Sequence, residues 1–177
     1  MIKRIYMLCL GLGGLLLLPT LSYGAKIDLK PICPLLEGEW QGSAANPNGE
    51  SKQVTTSVMC SADQLNLYIS VSQGARFSNS ETWWFRQRGA NIGLVYSDGI
   101  NTDVHQTFTL YQQDGSFTLL GKGEVKQRPA LIRLSFEANE QNHWLWQQSA
   151  HFLDDDSDSY TVVRAIGLTP ITQTLVK

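Results

Sequence analysis

From Val54 onward the chain repeatedly alternates, residue by residue, between apolar and polar side chains. Leu65, Leu67, Ile69 and Val71 fall on one side of such a run, with Asn66, Tyr68, Ser70 and Ser72 on the other. Ile132, Leu134 and Phe136 alternate with Arg133, Ser135 and Glu137, and Trp144, Trp146, Gln148 and Ala150 with His143, Leu145, Gln147 and Ser149. Successive strand side chains point to opposite faces, so this period puts one face on a core and the other in water. Further strand-like runs surround Trp40 and cover 54–59, 82–86, 92–96, 104–111, 117–120 and 160–165. They are rich in Thr, Val, Tyr, Phe and Trp, which suit a pleated, half-buried surface. Few stretches carry a helical period.

The punctuation agrees. Asn48-Gly49, Asp98-Gly99 and Asp114-Gly115 are turn dipeptides whose glycine tolerates the positive φ of tight hairpins. Residues 89–91 and the acidic run after Leu153 fit slightly longer loops. The expected fold is all-β, a single antiparallel meander closing into a barrel of about 8–10 strands, with a β-sandwich as the alternative. Helical crossovers between parallel strands do not fit the short gaps. The barrel domain is expected over 37–169. Residues 25–36, with Pro31 and Pro34, read as an extended lead-in or a helical turn capping one end, and 170–177 as a tail.

The first 24 residues stand apart. Lys3 and Arg4 give a positive start, 6–18 carry no charge, and Ser22 and Gly24 precede an expected cut after Gly24. That is the anatomy of a secretory signal peptide, and its apolar run is shorter than the roughly 20 residues that span a bilayer. The leader's cysteine, Cys9, lies inside that run, so no lipid-bearing cysteine follows the cut. Cleavage leaves 153 of the 177 residues, without a transmembrane segment, in the periplasm or outside the cell. It also takes the net charge from −2 to −4, giving no electrostatic reason to expect nucleic acid or anionic membrane as partner. Arg86 and Arg88, beside Trp83 and Trp84, read as one strand face rather than a binding stripe.

Cys33 and Cys60 are the thiols left after cleavage. Without a Cys-x-x-Cys or Cys/His cluster they point to one disulfide, worth on the order of 3–4 kcal/mol by loop closure, with buried free thiols as the alternative. No metal site or cofactor is expected. Asp154, Asp155, Asp156 and Asp158 resemble half a calcium loop, but Ser159 and Ala165 occupy the positions of its glycine and glutamate. A solvated hairpin loop is the reading. His143 and His151, about 26 Å apart on a straight strand, cannot share a metal, and His105 has no local partner. A nucleophile elbow, a phosphate loop and a zinc-protease motif are all missing, so no catalytic residue is assigned. Asp63 and Glu81 cannot be shown to converge. Of the adjacent Trp83 and Trp84, one must face inward and one outward, the latter as a contact residue or cover for a seam.

Gly38 and Trp40 open the first barrel strand, and Arg164 lies on the last. A guanidinium there can stack on the indole of Trp40. This set resembles the lipocalins and the wider calycin families, in which a Gly-x-Trp on the first strand meets an arginine near the barrel's end and the cup holds an apolar ligand. The resemblance implies structural roles for Gly38, Trp40 and Arg164. It also implies a non-enzymatic binding protein for a small apolar or amphiphilic ligand. The inward apolar residues Leu67, Ile69, Phe108, Leu110, Ile132, Leu134, Phe136 and Trp146 would line the site. The competing class is an envelope protein-interaction module with a filled barrel. A third is a small hydrolase or isomerase with polar groups converging in the cup. An interior of about 300 Å³ or more favours a ligand, and a packed one favours a partner surface.

Overall fold

The structure, a computed structural model, describes residues 24–73, 79–139, 141 and 143–171. The expected signal peptide, up to residue 23, and most of the C-terminal tail lie outside the described residues.

The alternating runs become ten long strands, β2 to β11, after a two-residue β1 (Ala25–Lys26) and a single turn of helix, α1 (Cys33–Leu36). They are β2 (Gly38–Ala45), β3 (Lys52–Cys60), β4 (Asn66–Gln73), β5 (Asn79–Arg88), β6 (Asn91–Ser97), β7 (Val104–Gln113), β8 (Ser116–Val125), β9 (Arg128–Ala138), β10 (Trp144–Phe152) and β11 (Thr161–Pro170). Each pairs antiparallel with the next, and β11 returns to β2, with Ala165 opposite Ala45 and Pro170 opposite Trp40. Closure removes the free edges that an open sheet would present. The fold is a ten-stranded antiparallel meander barrel with one extra strand; the sandwich alternative is not realised.

The hairpins use different turn chemistry. At β7–β8, Asp114 (φ 49°) and Gly115 (φ 80°) are both left-handed, as the right-handed twist of a two-residue hairpin demands. Gly99 also has positive φ, at 72°. Gly49 does not. Its turn is held by Asn46, whose backbone carbonyl accepts from the Gly49 N–H at 3.2 Å and whose side chain accepts from the Asn48 N–H at 3.3 Å. The β8–β9 turn places Lys126 and Gln127 at φ 52° and 64°, a left-handed pair without glycine or asparagine.

Aromatic side chains from opposite walls meet inside the barrel. Trp83 of β5 touches Trp146 of β10 edge to face at 4.8 Å between ring centroids, Trp146 stacks on Phe136 of β9 at 5.5 Å, and Phe136 meets Phe85 of β5 at 6.4 Å. The Trp83–Trp146 and Phe85–Phe136 contacts cross the lumen, and Trp146–Phe136 joins register partners on neighbouring strands. Small residues sit where such bulk needs room. A Cβ at Gly121 would press on the Thr107 carbonyl and the Phe108 ring, and Ala130 and Ala150 are fully buried.

The lead-in plugs one end, combining the extended and helical forms expected of it. Ala25 and Lys26 pair with Gln112 and Tyr111 of β7, and Leu29, Ile32, Cys33 and Leu36 are all buried. Cys33 and Cys60 form a disulfide that ties α1 to the end of β3, with Cα atoms 5.9 Å apart. The Trp40 indole N–H donates to the Leu36 carbonyl at 2.8 Å, satisfying an orphan acceptor at the helix end. Between them Gly38 turns the chain at φ 138°, a conformation that disfavours any side chain. The opposite end carries the longer loops. Among the described residues no helix is long and apolar enough to cross a membrane.

Candidate functional site

All eight residues expected to line a ligand cup point inward and are 4 % exposed or less. They are packed into one core: Leu67 and Ile69 on β4, Phe108 and Leu110 on β7, Ile132, Leu134 and Phe136 on β9, and Trp146 on β10. The interior keeps some polar atoms. Thr56 Oγ1 and the indole N–H groups of Trp83, Trp144 and Trp146 are buried without a hydrogen-bond partner among the described residues.

Arg164 does not stack on Trp40. The β11–β2 register seats the apolar Ile166 and Leu168 opposite Ala44 and Gly42, and Trp40 opposite Pro170. Arg164 is therefore six residues, roughly 20 Å of strand, from Trp40's level. It lies at the end remote from α1, beside a bulge where the β10–β11 register shifts between Gln148 and Ser149. Its guanidinium lies 4.5 Å from the Trp83 ring centroid and 4.9 Å from that of Tyr96. Nη1 donates to Glu81 Oε2 at 2.6 Å, and Nε donates to Gln148 Oε1 at 2.7 Å. Burial raises the Tyr96 phenol above its ordinary pKa, an effect that the Arg164 contact partly offsets. The lipocalin-type tryptophan–arginine pairing is thus replaced by a mouth cluster of Glu81, Trp83, Tyr96, Gln148 and Arg164. Apolar side chains rim the same end, with Ile100 82 % and Leu153 51 % exposed.

The other expected groups have structural partners. Asp63 accepts from Ser61 and from the Leu65 N–H, far from Glu81's ion pair. Arg128 pairs with Asp154 at 2.6 Å and Asp155 at 2.9 Å, committing two carboxylates of the acidic loop. As alternation requires, Trp83 faces in and Trp84 faces out, where its ring stacks on Tyr68 at 5.3 Å and its N–H donates to Asn66 at 3.2 Å.

Among the described residues, the outer wall carries two concavities of note. One, of about 800 Å³, lies over β2, β10 and β11 and mixes Gln41, Gln53, Glu137 and His143 with Leu145. The other, of about 690 Å³, lies over β5 to β8. Arg86, Arg88, His105 and Lys122 surround it, and none of its lining residues is acidic. Arg86 and Arg88 do share one strand face, and they line a larger basic concavity. Its remaining members, His105, Lys122 and the floor residue Gly93, come from three other strands. A sequence signal existed in the outward phase of each residue, but nothing in the sequence supplied the register that aligns them.

The chain is similar in fold to the crystal structure of Rv2717c from M. tuberculosis. The TM-score is 0.52 at 13 % sequence identity, over 83 % of this chain and 99 % of that one. The likeness is one of barrel architecture. No family model and no curated protein matches the chain.

Proposed function

We propose that the protein is a non-enzymatic extracytoplasmic binding module that meets its partner with the outer wall of a filled barrel. The observation that carries this reading is the set of aromatic contacts across the lumen, Trp83 to Trp146 and Phe85 to Phe136, which occupies the space a cup-bound ligand would need. The leader and the Cys33–Cys60 disulfide support an oxidising compartment, the periplasm or beyond the cell. A second reading, a small apolar or amphiphilic ligand in the lumen, is favoured by the unpartnered polar atoms of Thr56, Trp83, Trp144 and Trp146. Buried donors without acceptors are costly, and a ligand could satisfy them.

Tryptophan fluorescence separates the two, because the lumen holds Trp83 and Trp146. Titration of the mature protein with lauric acid and with 1-anilinonaphthalene-8-sulfonate should give no saturable change in emission. A photo-crosslinking residue at Thr107 should capture a partner in cells, whereas one at the buried Leu134 should not. Saturable one-to-one quenching by lauric acid would overturn the outer-wall reading in favour of the lumen.

A further inference from the structure

We propose that the concavity over β5–β8 is a binding site for the phosphate group of a small phosphomonoester, seated over Gly93 and Thr107 between Arg86 and Lys122. The proposal rests on the outer-wall reading and names the chemistry of the ligand.

Arg86 pairs with Gly93, Gly93 with Thr107, and Thr107 with Lys122, so these residues form one row across four strands. Phe85, Leu94 and Phe108, each next to a member of the row, and Leu119, three residues before Lys122, are buried, so the whole row faces outward. Three interstrand steps separate the Cα atoms of Arg86 and Lys122 by roughly 14 Å. Two long cationic side chains therefore flank two short residues. Gly93 has no side chain, and the Arg88 side chain lies against it, with Cγ at 3.4 Å and Nε at 3.9 Å from where a Cβ would sit. Thr107 offers a hydroxyl at the floor, and Arg88, Asn91 and His105 complete the rim.

Charge selects the occupant. Arg86, Arg88 and Lys122 make no salt bridge among the described residues, whereas Arg128 and Arg164 are both paired. The acid nearest along their strands is Glu124, two residues past Lys122, and it does not line the concavity. Three unpaired permanent cations call for more than one negative charge, which a phosphomonoester carries and a simple carboxylate does not. Arg86 is also preorganised. Its guanidinium carbon lies over Trp84, 4.0 Å from the ring centroid, and its Nε is buried without a hydrogen-bond partner among the described residues. Stacking on an aromatic face leaves the in-plane N–H donors of an arginine free for an oxyanion. An anion supplying the missing acceptor would remove the cost of that buried donor. The recess favours a small molecule over a membrane surface, which would have to reach below the rim.

Glycerol 3-phosphate added to the 15N-labelled mature protein should shift the Gly93 and Thr107 amide resonances saturably, and glycerol should not. Arg86→Gln combined with Lys122→Gln should weaken the affinity at least tenfold. Gly93→Leu, whose Cβ would be in ordinary contact with Arg88 Cγ at 3.4 Å and the Arg86 carbonyl at 3.9 Å, should abolish binding while leaving the melting temperature near that of the parent. Absence of a saturable shift, or affinity unchanged in both variants, would overturn the proposal. So would co-sedimentation with phosphatidylglycerol vesicles that depends on Arg86 and Lys122, because the site would then serve a membrane. The outer-wall reading is judged separately: crosslinking at Thr107 with no phosphate effect would leave it standing, and lumenal quenching would remove it.

Discussion

Nη1 of Arg164 lies 2.6 Å from Oε2 of Glu81, an ion pair that joins β11 to β5 across the mouth of the barrel. The side chains are 30 % and 38 % exposed, so water screens much of the attraction. Arg164→Met should cost about 1–2 kcal/mol, because the stacking on Trp83 and Tyr96 is lost as well, and Glu81→Gln about 0.5 kcal/mol. A double-mutant cycle by urea denaturation should give a coupling below about 1 kcal/mol. Arg164→Met and Trp40→Phe should be additive within about 0.5 kcal/mol, since these residues occupy opposite ends. Strong coupling of Arg164 to Trp40 would contradict the observed β11–β2 register.

The disulfide holds the plug. Cys60→Ala should lower the unfolding free energy by about 2–4 kcal/mol, chiefly by freeing the unfolded chain. Alkylation of the denatured, unreduced mature protein should label no thiol, and two labels per chain would contradict the bond.

Gly42 lies opposite Leu168 where β2 meets β11, diagonally across from Gly167, and the two glycines respond differently to a methyl group. A Cβ on Gly42 would overlap the Gly167 carbonyl, which is backbone and cannot rotate away, whereas a Cβ on Gly167 has nothing within 4 Å. Gly42→Ala should cost about 2 kcal/mol or more and Gly167→Ala less than about 0.5 kcal/mol, read from denaturant midpoints. Equal effects would refute the close backbone approach.

Asp98 fastens the β6–β7 loop. Its carboxylate accepts from the Asn101 N–H at 2.8 Å, the Asn101 side-chain amide at 2.7 Å and the Ile100 N–H at 3.0 Å, and these bonds pull its pKa down to about 2. The folded pKa lies below the unfolded one. The stabilisation is therefore complete above the ordinary aspartate value and is lost as pH falls through about 2. A carboxyl-carbon NMR titration should place the Asp98 midpoint near 2; a midpoint near 3.8 would mean that the loop does not hold these bonds.

Much of the barrel was legible because a period of two is written locally. The burial of Leu67, Ile69 and Val71 on β4 follows their alternation, and Asp114-Gly115 turns where it should. The β8–β9 turn was hidden because Lys126 and Gln127 have no special tolerance for positive φ, so the flanking strands impose the turn on them. Gly49 misled in the opposite sense, since Asn46 supplies the turn without a left-handed glycine. Arg164 was assigned the wrong aromatic partner for a third reason. The partner depends on how far β11 slides along β2, and the seating of Ile166 and Leu168 sets that slide. The basic concavity depends on the same quantity. Arg86 and Lys122 are thirty-six residues apart in the chain, and only three successive hairpin registers bring them into one row.

Nine of the ten barrel pairings join strands adjacent in sequence, and the tenth joins β2 to β11. The molecule is therefore separable at one seam. A fragment ending before Thr161 would keep nine strands with unpaired backbone along both β2 and β10, a groove one strand wide. A synthetic peptide of residues 161–171 should enter it and restore the barrel by fragment complementation, seen as a one-to-one complex in native mass spectrometry. With no peptide present, the same two borders would serve as adhesive ends, and the fragment should assemble into head-to-tail oligomers.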